Sequence, residues 1–295
     1  MTILQRTFPI NTDTTIPAVG FGTFLVSPHD APDAVHAAIS VGYRHFDTAA
    51  VYQNEEAVGA GIRAGLQSAG LSREDIFVTA KLWPGRPENT AAQSNASLAR
   101  LGLSYVDLYL IHSPQGGPER LPQWRALIEL KRTGKARAVG VSNFRQKHLE
   151  EIKAAGLPMP EANQIELHPW SQKPDLVAFM RANSIAPIAY SSLAPLSTWR
   201  SKPGQSSAKT QEMKRGDGVF AKMAQKYGVT EAQLLLRWGI QNGYAVLPKS
   251  LNQERMRQNI DLDGFSIDNK DMELIRTLDR GDGIAWSSGD PSLVD

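Results

Sequence analysis

The chain has 295 residues, 41% hydrophobic and 21% charged, with a formal net charge of +2 and no cysteine. That length and balance suit one large α/β domain spanning residues 1–295 and exclude a globally disordered chain, while the small, interspersed charge excludes a nucleic-acid footprint. The absent cysteines exclude disulfides, thiolate catalysis and cysteine-ligated zinc, and no stretch approaches the ~18 apolar residues of a membrane span.

The opening residues, MTILQRTFPINTDTTIP, lack the apolar core of a signal peptide, so the chain is read as cytoplasmic. Pro9 and Pro17 bracket an expected hairpin. Apolar runs of strand length then alternate with longer amphipathic segments, the pattern of repeated βα units. The expected strands are Val19–Gly22, Arg44–Thr48, Ile76–Leu82, Val106–Ile111, Ala136–Val141, Ala162–Glu166, Ile185–Tyr190 and Tyr244–Pro248. Helical patterns fall between them at Pro32–Val41, Glu55–Ala69, Asn89–Leu101, Leu121–Thr133, Gln146–Ala155, Pro174–Asn183 and Thr230–Gln241. Gln253–Asn259 follows the last strand, and Asn269–Leu278 reads as an additional helix. Gly134 and Gly156 sit where helices should stop, and Thr230 stands as an N-cap. Eight such units fit a closed (β/α)₈ TIM barrel, with a short N-terminal hairpin and an extra C-terminal helix and tail, better than an open sheet. No GxGxxG follows the first strand, since Gly20-Phe21-Gly22-Thr23 lacks the third glycine. The long connection Ser191–Gly218, rich in Ser, Pro, Lys and Gly, is expected to close over a bound cofactor.

In a parallel barrel the active site gathers at the C-terminal strand ends. Asp47 and Thr48 end the second strand, Tyr52 follows it, Lys81 lies on the third and His112 follows the fourth. Their chemistry suits carbonyl reduction. A hydride arriving at a carbonyl carbon leaves charge on oxygen, which needs a proton donor. A lysine cation beside a tyrosine lowers the phenol's pKa, an aspartate holds that lysine charged, and a histidine directs the carbonyl oxygen. Each residue alone also has a plainer role, as a cap, packing group or satisfied strand polar group.

At these residues the chain resembles the aldo-keto reductase family. The matching segments are VGFGTF (19–24), GYRHFDTAAVYQNEEAVG (42–59), VTAKLW (78–83), LGLSYVDLYLIHSP (101–114), GVSNF (140–144), NQIELHP (163–169) and LPKSLNQERM (247–256). The resemblance implies that Asp47, Tyr52, Lys81 and His112 form a catalytic tetrad with Tyr52 as proton donor. It implies that the cofactor is NADPH, with Ser142, Asn143 and Gln164 on the nicotinamide carboxamide and Tyr190 stacked on its ring. Gly22 and Thr23 would lie beside the ribose, Ser191 and Leu193 near the pyrophosphate, Lys249, Ser250 and Arg255 on the 2′-phosphate, and Asn259 at the adenine. No metal is implied. Phe24 and Ser113 stand where many members have tryptophan, which suggests a roomier substrate pocket formed with Trp83. Ser192 replaces a common proline and Gln258 a common glutamate; Trp199 and Trp286 are further candidate walls.

The reading is therefore an NADPH-dependent reductase of a small-molecule aldehyde or ketone, acting as a monomer without nucleic-acid or membrane partners. The alcohol-oxidising direction would use the same groups. Reduction of an adjacent carbon–carbon double bond resembles members that carry glutamate in place of His112. A non-enzymatic cofactor-binding regulatory subunit is disfavoured by the intact tetrad, and a pure ligand-binding barrel would need neither an activated tyrosine nor a phosphate pocket.

Overall fold

The computed structural model describes residues 2–196, 218–285 and 291–293. An antiparallel hairpin, β1 (Thr7–Pro9) and β2 (Thr15–Pro17), precedes eight parallel strands: β3 (Phe21–Gly22), β4 (His45–Asp47), β5 (Phe77–Leu82), β6 (Val106–Ile111), β7 (Ala136–Ser142), β8 (Ala162–Glu166), β9 (Ala186–Tyr190) and β10 (Ala245–Val246). Each pairs with the next in chain order. The sheet closes on itself because Gly20 N donates to Val246 O at 2.8 Å, Val246 N to Ala18 O at 2.9 Å and Gly22 N to Pro248 O at 3.1 Å. Closure removes the edges of the eight-stranded sheet, and the expected barrel is what forms.

The connecting helices are α1 (Ala31–Val41), α2 (Glu55–Ala69), α3 (Thr90–Leu101), α4 (Arg120–Arg132), α5 (Gln146–Ala154), α6 (Pro174–Ala182), α7 (Val219–Tyr227) and α8 (Glu231–Gln241). After β10 come α9 (Gln253–Ile260) and α10 (Asn269–Arg276). Thr230 caps α8 as expected, accepting from Gln233 N, and Gly134 and Gly156 adopt the left-handed conformation beyond α4 and α5. The sequence reading passed over α7. Its apolar stripe, Phe220, Met223 and Ala224, is only two turns long and sits directly beside α8. Of the long connection after β9, residues 197–217 lie outside the described residues, as do Trp199 and Trp286.

Two apolar clusters explain where the site can be. One joins the outward strand side chains, such as Val78, Ala80, Tyr109 and Ile111, to the helices. The other fills the lower barrel with Phe77, Leu108, Leu110, Ala138, Ala162, Ile188 and Ala245, plugged by Ile10 and Ile16 of the hairpin. Side chains alternate along a strand, so inward positions recur every second residue. Along β5 these run Phe77, Thr79, Lys81; along β8, Ala162, Gln164, Glu166; along β9, Ala186, Ile188, Tyr190. The interior thus changes from apolar to polar toward the C-terminal strand ends.

Candidate active site

Lys81 is the centre of that polar end. It is 0% exposed, and its Nζ donates to Asp47 Oδ1 at 2.5 Å, Thr48 O at 3.1 Å and Tyr52 Oη at 3.2 Å. A buried ammonium needs partners for its hydrogens, and these three contacts supply them. Asp47 turns its other oxygen to Gln164, whose Nε2 donates at 2.7 Å from the far side of the barrel. The ring of Tyr52 packs edge-on to His112 at 5.6 Å, and Trp83 packs edge-on to His112 at 5.6 Å from the other side. The four residues from β4, its following loop, β5 and the end of β6 therefore converge.

The electrostatics correct one expectation. Burial is the largest influence on Tyr52 and raises its pKa, outweighing the nearby Lys81 cation, so the phenol is held protonated rather than drawn toward phenolate. Burial works against the charge on Lys81, but the Asp47 carboxylate and the Tyr52 oxygen together outweigh it and hold the ammonium above the ordinary lysine range. Burial, then the Lys81 cation, pushes His112 down to about 3. Its imidazole is neutral at physiological pH, and neither ring nitrogen bonds a described residue. The site thus offers a protonated phenol backed by a cation, next to an uncommitted imidazole.

These groups open into a cleft of about 830 Å³. Asp47, Tyr52 and His112 line it, together with Gly22, Ser142, Asn143, Gln164, Tyr190, Ser191 and Leu193 of the expected cofactor set. Asn143 is tied in place by its Nδ2 donating to His112 O at 3.1 Å and by the Tyr190 hydroxyl donating to its Oδ1 at 2.6 Å. Thr23 does not line the cleft: it is buried, and its hydroxyl donates to Asp47 O at 2.9 Å, which locks β3 to β4. Phe24 and Trp83 line the cleft, whereas Ser113 is buried and does not, because the chain turns it away from His112. Lys249, Ser250, Arg255 and Asn259 complete the lining after β10. The side chains of Lys249 and Arg255 form no ion pair among the described residues, so two uncommitted cations face the cleft. That donor set fits a phosphate, and the amides of Asn143 and Gln164 fit a carboxamide.

Sequence reasoning missed several lining residues. Leu25 is one of them and holds left-handed backbone at φ 59°, as do the expected Asn143 and Ser191 at 62° and 55°, while Gln53, directly after Tyr52, has φ 57°. Such strain concentrates where a loop must aim a side chain. Ile284 and Ala285 of the C-terminal tail also line the cleft, anchored by Ala285 N donating to the buried Glu166 carboxylate at 2.7 Å. Val51 and Leu25 gave no signal beyond being apolar residues in loops. No group of three or more metal-ligating side chains occurs among the described residues.

A closed parallel barrel that gathers these polar groups at its C-terminal rim has the architecture of a (β/α)₈ enzyme, whose active site lies at that rim. The chain belongs to the aldo/keto reductase family, whose profile matches residues 18–280. It is 36% identical over 286 residues to a glyoxal reductase of Bacillus subtilis, covering 96% of each chain. It is 37% identical over 272 residues to a methylglyoxal reductase of Yersinia pestis, covering 90% of each. Among solved structures it is similar to an aldo-keto reductase of Bombyx mori in complex with NADP, with a TM-score of 0.85 and 33% identity over 95% of this chain and 94% of that one. No helix among the described residues is long and apolar enough to cross a membrane.

Proposed function

We propose that this chain is a single-domain enzyme that reduces an aldehyde or ketone to the alcohol at the expense of NADPH, with Tyr52 as the proton donor. The observation that carries this reading is the Tyr52 hydroxyl, held protonated at the cleft and 3.2 Å from the buried Lys81 ammonium. The aldehyde-reducing relatives and the NADP complex of a similar structure support it. When bound, NADPH supplies a hydride to the carbonyl carbon. Ser142, Asn143, Gln164 and Tyr190 would hold the nicotinamide, and Lys249, Ser250 and Arg255 the 2′-phosphate, with Asn259 toward the adenine.

The remaining chemistry falls to the chain's own groups. The carbonyl oxygen accepts the Tyr52 proton as its negative charge develops. A phenolate is left behind, and Lys81 stabilises it at the moment it forms. This assigns Lys81 to the product of proton transfer rather than to the resting phenol. Neutral His112 donates to the same oxygen and directs it toward Tyr52. Asp47 keeps Lys81 oriented, and Gln164 keeps Asp47 oriented.

The test is NADPH oxidation against a panel of aldehydes and ketones, for the wild type and Tyr52→Phe, with cofactor affinity from fluorescence titration. Turnover should fall at least ~10²-fold in the variant while NADPH binding stays within about two-fold. A variant retaining more than about a tenth of wild-type turnover, with chemistry rate-limiting, removes Tyr52 from the role.

A further inference from the structure

Asn54 stands at the capping position before α2, yet its side chain caps nothing. Its amide nitrogen donates instead to two backbone carbonyls across the loop, Thr23 O and Val26 O, both at 2.9 Å. Its amide oxygen accepts from the Thr48 hydroxyl at 3.2 Å. Only the nitrogen can face two carbonyls, so the chemistry fixes the orientation of the amide. Asn54 is 2% exposed, and an asparagine buried this deeply away from its helix is holding something else in place.

What it holds is the turn Thr23–Val26, closed by Val26 N donating to Thr23 O at 3.1 Å. The third residue of that turn is Leu25, at φ 59°, where glycine is the ordinary occupant. Leu25 is also 60% exposed, so it is costly both in backbone and in hydration and does nothing for the core. Its neighbour Phe24 is 42% exposed, with its ring 5.0 Å from that of Tyr52. Both side chains line the cleft, and with Val51 and Trp83 they form an apolar wall beside Tyr52 and His112. No charged side chain belongs to this wall. The two cations that line the cleft follow β10 and are committed, on the reading above, to phosphate.

We propose that Asn54 is a positioning residue for substrate selection. By clamping the 23–26 turn it holds Phe24 and Leu25 beside Tyr52, so that the site favours carbonyl compounds bearing a large uncharged hydrocarbon group over short-chain aldehydes and over those bearing an anionic group. The inference rests on the carbonyl-reductase reading and adds the substrate class to it. The same amide ties the wall to the tetrad, because Thr48, which holds its oxygen, follows Asp47 and offers its carbonyl to Lys81.

The experiment measures kcat and KM with saturating NADPH for 3-phenylpropanal, propanal and succinic semialdehyde. The wild type should favour 3-phenylpropanal over each of the others by about ten-fold or more in kcat/KM, the range for one well-placed apolar group. Asn54→Asp keeps the size and the acceptor but removes both donors. It should lower the 3-phenylpropanal to propanal ratio about five-fold or more, mainly through KM, as the wall swings free. Thr48→Val, which releases the amide oxygen and leaves the Thr48 carbonyl in place, should move the ratio the same way by less. A merely structural role would depress both aldehydes together and leave the ratio where it was, which overturns the proposal. A wild type that reduces all three without preferring 3-phenylpropanal also overturns it while leaving the reductase reading intact. A wild type that reduces none of these or any other carbonyl removes both. Should Asn54→Asp not fold, Thr48→Val decides, and an unmoved ratio in that variant rejects the clamp.

Discussion

Replacing Lys81 by methionine keeps most of the side chain's volume and removes its charge, so it isolates what the buried ammonium does. In the wild type that ammonium meets Asp47 at 2.5 Å in a site 0% exposed on the lysine side. Without it, Asp47 keeps only the Gln164 contact at 2.7 Å and faces a thioether. Removing one partner of a buried ion pair costs about 3–5 kcal/mol, because the remaining charge is uncompensated. Against a total stability of about 5–15 kcal/mol that is a large fraction. The double variant Lys81→Met with Asp47→Asn leaves no charge at either position and should recover most of the lost stability at pH 7. Neither variant should recover turnover, since neither can stabilise the phenolate; a loss of ~10²-fold or more is expected in both. Urea titrations at pH 7, with aldehyde turnover beside them, make the comparison. A single variant within about 1 kcal/mol of wild type at pH 7, or a double variant no more stable than the single, would falsify the coupled buried pair.

Two further outcomes follow from named groups. Arg255→Ala should raise the NADPH dissociation constant about ten-fold or more and leave NADH within about two-fold, because a charge-assisted phosphate contact is worth ~1.5–3 kcal/mol; equal weakening of both cofactors in fluorescence titrations would remove Arg255 from the 2′-phosphate. His45 and His112 are both pushed from 6.5 down to about 3, chiefly by burial, so the unfolded chain binds their protons first and stability should fall as pH drops through that window. Each contributes about 1.4 kcal/mol per pH unit in the interval, and His112→Asn should reduce the slope of unfolding free energy between pH 6.5 and 5 by that amount; an unchanged slope there would show that His112 is protonated in the folded state.

Much of this architecture is legible in the order of residues. Runs such as Val106–Ile111 and Ala162–Glu166 are strands at the bounds their apolar patterns give, because both faces of a parallel barrel strand are covered and the whole run must be apolar or paired. The glycines after α4 and α5 and the Thr230 cap mark helix ends through local backbone chemistry that needs no tertiary partner. The convergence of Asp47, Tyr52, Lys81 and His112 was also foreseeable, since a parallel barrel brings successive strand ends to one rim.

The balance of burial against charge was not legible. A lysine beside a tyrosine reads, in sequence, as a group that lowers the phenol's pKa; only the packed site shows burial outweighing the cation. Ser113 is adjacent to His112 in sequence but lies off the cleft, because alternation turns consecutive side chains to opposite sides. Asn54 stands directly before α2, and the carbonyls its amide reaches, Thr23 O and Val26 O, lie 31 and 28 residues away. The tail reaches the cleft through a bond between Ala285 and Glu166, 119 residues apart. Sequence by itself determined the elements and the chemical types gathered at one rim, because propensity and periodicity are local. Tertiary structure decided which polar groups face each other, which face the cleft and which protonation state each holds, because burial and charge act through space.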